Sequence, residues 1–125
     1  MDPTKPFDLT FEDRTGYLYA RVVAPDIDRP TALAYLRQVA DRMLARKYDR
    51  IMLARDIPTM LSDSDLFFTT QDFLKMIDGA SVAFVNPHIE IEKGMDFAIL
   101  IGANRGGNYR LFKDEQTAET WLLTT

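Results

Sequence analysis

Cysteine is absent from this chain of 125 residues, so disulfides, a thiolate nucleophile and cysteine-ligated zinc are all excluded. Histidine occurs only once, at His88. A serine–histidine catalytic set would have to form around that one imidazole, and nothing in the sequence places a serine beside it. No apolar run reaches membrane-spanning length, and the opening "MDPTKPFDLT" lacks the apolar core of a signal peptide. The expectation is a cytoplasmic protein with no membrane insertion. Positive charge is the minority sign, with 15 Lys and Arg against 19 Asp and Glu and a net charge of −4. That balance argues against nucleic acid as a partner, because phosphate binding needs a basic face to release counterions. Arg42, Arg46, Lys47 and Arg50 do crowd the end of one helix, where basic side chains complement the helix dipole.

What is present is ordinary globular material, 46% hydrophobic and 27% charged. The length predicts a single domain over residues 1–125. Phe7, Leu9 and Phe11 alternate with polar neighbours, "RTG" turns the chain, and Leu18, Ala20 and Val22 then oppose Tyr17, Tyr19 and Arg21, which predicts a hairpin. Leu33, Leu36, Ala40, Met43 and Leu44 recur at helical spacing after an opening by Asp28 or Thr31, with Pro30 in the first turn. "RIMLA" and "SVAFV" read as buried strands. Between them Leu66, Phe67, Thr70, Phe73, Leu74 and Ile77 line one face of a helix that stops at Gly79. "NPHIEIEKG" reads as a loop and "YRLF" as a strand. "DEQTAETWLL" reads as a closing helix capped by Asp114, with Ala118, Trp121 and Leu122 inward. Docking of that helix through Trp121 makes Trp121→Ala worth about 3–5 kcal/mol. "FAILIGA" fits either a hairpin strand or a helix buried on more than one side, and periodicity does not choose. The alternation of strands and helices predicts an α/β fold with a mixed, mostly parallel sheet and helices packed against it.

The chemistry-bearing stretches are few. "GANRGG" leads toward a strand rather than into a helix, the wrong direction for a phosphate cradle. His88 with Glu90 or Glu92 offers too few committed ligands for a metal, and a solvated loop histidine is expected. No catalytic residues, metal or cofactor are expected. In "LSDSDLF", Ser62 is placed to cap the second helix by accepting from the amide of Asp65, with Asp65 reaching back. Phe68 projects nearly opposite the buried face of that helix, between Asp72 and Lys75, and is expected to be exposed.

"AFVNP", "FAILIGANRGG", "YRLFKDEQTAETWL" and a second helix starting just after the third strand's loop resemble the SpoIIAA-like (STAS-like) family of small bacterial domains. The resemblance spans nearly the whole chain. It implies a helix over residues 95–104 and hence a ββαβαβαβα order with about five strands. In anti-sigma-factor antagonists of that family the corresponding loop resembles Asp-Ser-Ser-Gly-Leu, and a serine in it is phosphorylated to switch off partner binding. Here Asp63, Ser64 and Leu66 match that pattern, Ser62 stands just upstream, and Asp65 replaces the glycine. The resemblance implies a non-enzymatic regulatory or protein-interaction module.

Asp56, Ser62, Asp63, Ser64 and Phe68 are the candidates for partner binding or switching, because their loop leaves the carboxyl end of a strand, where open sheets place their sites. A homodimer is a second expectation, since residues 95–101 offer only Asp96 as a polar member. The alternative function is a carrier for a small apolar or lipid-like ligand near the strand-to-helix loops, lined by Met60, Met95 and Phe97. An enclosed apolar cavity would favour the carrier, and a flat surface around Phe68 the interaction module.

Overall fold

A computed structural model describes residues 5–77 and 79–125. β1 (Asp8–Arg14) and β2 (Tyr17–Val23) form the antiparallel hairpin, turned at Gly16 with a φ of 87°. A side chain at that φ would clash with the backbone, so glycine suits the turn. α1 (Arg29–Arg46) follows, capped by Asp28, whose carboxylate accepts from the Thr31 amide at 2.8 Å. β3 (Arg50–Asp56), α2 (Asp63–Met76) and β4 (Ser81–Val85) come next. The chain closes with α3 (Glu92–Asn104), β5 (Asn108–Phe112) and α4 (Glu115–Thr124).

The five strands make one mixed sheet in the order β1-β2-β3-β4-β5, antiparallel at the first pair and parallel elsewhere. Each parallel crossover steps to the next strand in the same direction. Crossovers of one hand then deposit their helices on one face. α1, α2 and α3 accordingly share a face and bury the main core with Leu18, Val22, Ile51, Leu53 and Val82. α4 covers the other face over Met52, Ala54, Ala83 and Val85. Its presence explains why both sides of β2 are buried: Tyr17 and Tyr19, across from Leu18 and Ala20, lie under α4 and donate to Glu119 and Glu115 at 2.9 and 2.8 Å.

The segment with two sequence readings is helical, as α3. Met95, Ala98, Ile101 and Gly102 face inward at helical spacing, while Leu100 is 56% exposed. "GANRGG" ends this helix. Gly107 donates to the Gly102 carbonyl at 2.8 Å, and Gly106 takes a φ of 81°.

Three local expectations need correction. "NPHIEIEKG" is not loop throughout, because Ile89–Ile91 make a 3-10 turn and α3 begins at Glu92. Leu44 is exposed, since the buried stripe of α1 runs through Tyr35, Val39 and Met43 rather than through Leu33 and Leu44. Trp121 is only partly buried, against Phe112, while Ala118 and Leu122 are the fully buried members of α4. The basic cluster is largely engaged: Arg46 pairs with Asp13 at 3.2 Å, Arg42 lies over Phe11, and Arg50 donates to the Thr125 carbonyl.

Candidate functional site

α2 lies between α1 and α3 and reaches the sheet through Phe73, whose ring centroid is 6.3 Å from that of Tyr109. Beside this contact is a partly open cavity of about 60 Å³. Leu66, Thr69, Thr70 and Phe73 of α2 line one side of it, Tyr35 of α1 and Met95 of α3 flank it, and Arg55, Phe84 and Tyr109 rise from three adjacent strands. A water molecule needs roughly 10–15 Å³ of such space, so the cavity has room for several waters or a small ligand. Met60 and Leu61, from the loop between β3 and α2, also line it and are only partly buried.

Strand alternation sets the polarity of this site. Residues two apart on β3 share a face, so Arg55 follows Ile51 and Leu53 toward α1–α3, and Asp56 follows Met52 and Ala54 toward α4. Arg55 is 4% exposed. Its Nη1 donates to the Ile57 carbonyl at 2.9 Å and its Nη2 to the Thr59 carbonyl at 2.7 Å. Among the described residues no carboxylate lies within ion-pairing distance of it, and it is the one charged residue in the cavity lining. Buried cations are ordinarily paired, because desolvating an ion costs several kcal/mol.

Two further polar groups belong to the same lining. Thr69 Oγ1 and Tyr109 OH are buried and have no hydrogen-bond partner among the described residues, although such atoms are nearly always satisfied. Burial pushes the Tyr109 phenol well above its usual pKa, so it stays an O–H donor. Burial likewise raises the Tyr35 phenol, against the pull of the neighbouring Arg55 guanidinium.

The loop over the cavity is fastened from two sides. Arg55 holds its carbonyls from below, while the Thr59 hydroxyl donates to Asp26 at 2.7 Å and accepts from the Ile27 amide at 3.1 Å. The Thr59 hydroxyl, and then the Ile27 amide, which also donates to Asp26 Oδ1 at 2.8 Å, hold the Asp26 carboxyl below the usual carboxylate range. Met60 in turn lies against Gly94, where a Cβ would approach its Cγ to 2.6 Å.

The residues singled out from sequence fall into three places. Met60 and Met95 line the cavity, but Phe97 does not. Ser62 caps α2, accepting from the Asp65 amide at 3.3 Å, whereas the reciprocal bond from Asp65 is not among the described hydrogen bonds. Asp63 and Ser64 are exposed in the first turn of α2. Phe68 is 50% exposed, as its position on the helix predicts, with its ring edge-on to Phe67 at 5.4 Å and the Arg29 guanidinium 6.0 Å away.

Asp56 lies elsewhere, on the α4 side, and it meets a residue that sequence reasoning dismissed. His88 Nε2 is 2.8 Å from Asp56 Oδ1 and its Nδ1 is 3.3 Å from Glu90 Oε1, while Arg21 contacts the other Asp56 oxygen at 3.3 Å. His88 is thus a tie between the end of β3 and the start of α3, not a solvated loop side chain. Buried Asn86 shapes this turn by donating to the His88 carbonyl and accepting from its amide. Among the described residues no three His, Asp or Glu side chains are grouped to hold a metal. No described helix is long and apolar enough to cross a membrane.

The signal for Arg55 was legible: in "RIMLARD" it stands in phase with two inward apolar residues. Of the cavity, the sequence showed only Met60 and Met95 as candidate lining; the space itself depends on how the helices pack on the sheet. Neither protein-family models nor curated proteins match this chain.

Proposed function

We propose that the chain is a non-enzymatic binding module that holds a small, largely apolar ligand between α2 and the sheet. The observation that carries this reading is the cavity itself, apolar in most of its lining and containing two hydroxyl groups without partners. Binding sites are typically concave and apolar, with a few convergent polar groups that fix orientation. Met60 and Met95 add flexible, polarizable walls that adapt to a guest.

Methionine methyl NMR tests this directly. Titration with a small apolar solute such as butanol shifts the methyls of Met60 and Met95 and leaves Met52, on the opposite face of the sheet, unmoved. Ala98→Phe fills the cavity from α3 and abolishes those shifts. Uniform or absent shifts in the wild type would remove the reading.

A second reading, a protein-interaction surface, is favoured by the exposure of Phe68 and Leu100. The resemblance to anti-sigma-factor antagonists supports a partner at the loop from Asp56 to Ser64, and the outward Leu100 supports pairing of two copies through α3. If a partner binds there, Phe68→Ala weakens its capture about tenfold or more while stability is unchanged. Light scattering on the wild type and on Leu100→Glu reads the pairing of copies.

A further inference from the structure

We infer that the ligand of this cavity is a monoanionic amphiphile, a small carboxylic acid whose head group pairs with Arg55 and whose short apolar tail lies among Phe73, Phe84 and Met95. The inference rests on the ligand-binding reading above and deepens it by naming the chemistry of the guest.

The first ground is charge. Arg55 carries a fixed positive charge in a site from which water is largely removed, and its neighbour Asp56 is turned to the other face of the sheet, committed to Arg21 and His88. A guanidinium has five N–H donors. The carbonyls of Ile57 and Thr59 engage its two terminal nitrogens once each and the Tyr35 phenol lies within its reach, which still leaves donors for a planar oxyanion.

The second ground is independent of charge. Thr69 and Tyr109 reach the same cavity from α2 and β5, each more than nine-tenths buried and each with an unpartnered hydroxyl. A carboxylate presents about four lone-pair sites, enough to accept from the guanidinium and from a hydroxyl that reaches it. An alcohol or an amine would leave the Arg55 charge uncompensated. A doubly charged phosphate would exceed the single cation of the lining.

The third ground is size. A cavity of about 60 Å³ suits a tail of a few carbons, with Met60 at the partly buried side able to rearrange for a longer one.

Calorimetric titration of the intact chain at neutral pH with hexanoate, hexanol and hexylamine tests the inference. The expected order is hexanoate at least about tenfold tighter than hexanol, with hexylamine weakest, since truncating or mismatching a buried charge pair is severe. Arg55→Gln should abolish the difference between acid and alcohol, and Arg55→Lys should restore part of it. Hexanol binding as tightly as hexanoate to the wild type overturns the carboxylate assignment and leaves the binding module intact. An acid preference that survives Arg55→Gln overturns it too, by placing the head group on another cation. Failure of all three ligands to bind overturns both readings together. Should Arg55→Gln not fold, the ligand series on the wild type still decides.

Discussion

Gly94 and Gly102 both belong to α3, and each makes room for a neighbour that a Cβ would strike. At Gly94 the neighbour is the flexible Met60 side chain, 2.6 Å from the added atom; at Gly102 it is the Tyr109 ring, 2.7 Å away. A methionine swings aside, whereas a buried aromatic wedged against Phe73 and Phe84 cannot. Gly94→Ala is therefore expected to change stability by less than about 1 kcal/mol, helix propensity offsetting the displaced contact. It also moves the Met60 methyl resonance. Gly102→Ala, by overpacking, costs about 1–3 kcal/mol. Denaturant midpoints of the two variants check the contrast, and equal losses would mean that Met60 is as fixed as Tyr109. The neighbours Arg55 and Asp56 make the same point about position: one bond along β3 separates a buried cation from a carboxylate engaged on the opposite face.

Single contacts also decide how the helices are held. α2 starts at Ser62, with Asp63 and Asp65 in its first turn, where negative charge suits the helix dipole. Ser62→Ala removes the one capping acceptor and is expected to cost about 1 kcal/mol, read as a lower urea midpoint at constant slope. α4 is anchored differently from the sequence expectation. Leu122 is fully buried and Trp121 lies partly open against Phe112. Leu122→Ala is expected to cost about 2–5 kcal/mol and Trp121→Ala below about 3 kcal/mol. A larger loss for the tryptophan would show that α4 docks through its rim rather than its centre.

At the scale of the whole molecule, burial of phenols couples both faces of the sheet to alkaline pH. Burial is the largest cause that raises Tyr17, Tyr19, Tyr35 and Tyr109 above their usual value, Tyr19 to about 12 with Glu115 accepting a hydrogen bond from its hydroxyl. The folded state therefore keeps these protons more tightly than the unfolded chain, whose tyrosines ionise near pH 10. Their contribution to stability is full below about pH 10 and is lost as the pH rises from there through the folded values. The melting temperature is expected to fall across that window, with phenolate absorbance rising at the unfolding transition. Tyrosine ionisation well before unfolding would show the four rings to be more open than their burial implies.

The hairpin, the elements other than α3 and the caps at Ser62 and Asp114 were legible in the residues, with Asp28 one of two candidates for α1, because alternation, helical spacing and capping are local properties of the chain. The exposure of Phe68 was legible for the same reason, being a matter of angle around one helix. The choice between strand and helix for "FAILIGA" was not, since an almost wholly apolar run carries no period; the resemblance implied the helix that its packing beside β5 requires. Nor was the Asp56–His88 tie, which joins residues far apart in sequence through a turn shaped by Asn86. The cavity is the clearest case. Thr69 and Tyr109 look unremarkable along the chain and Arg55 shows only its inward phase; the packing of α1, α2 and α3 on the sheet brings them around one space. A local pattern states which way a side chain faces; what it faces is set by the separation of layers, which no single segment encodes.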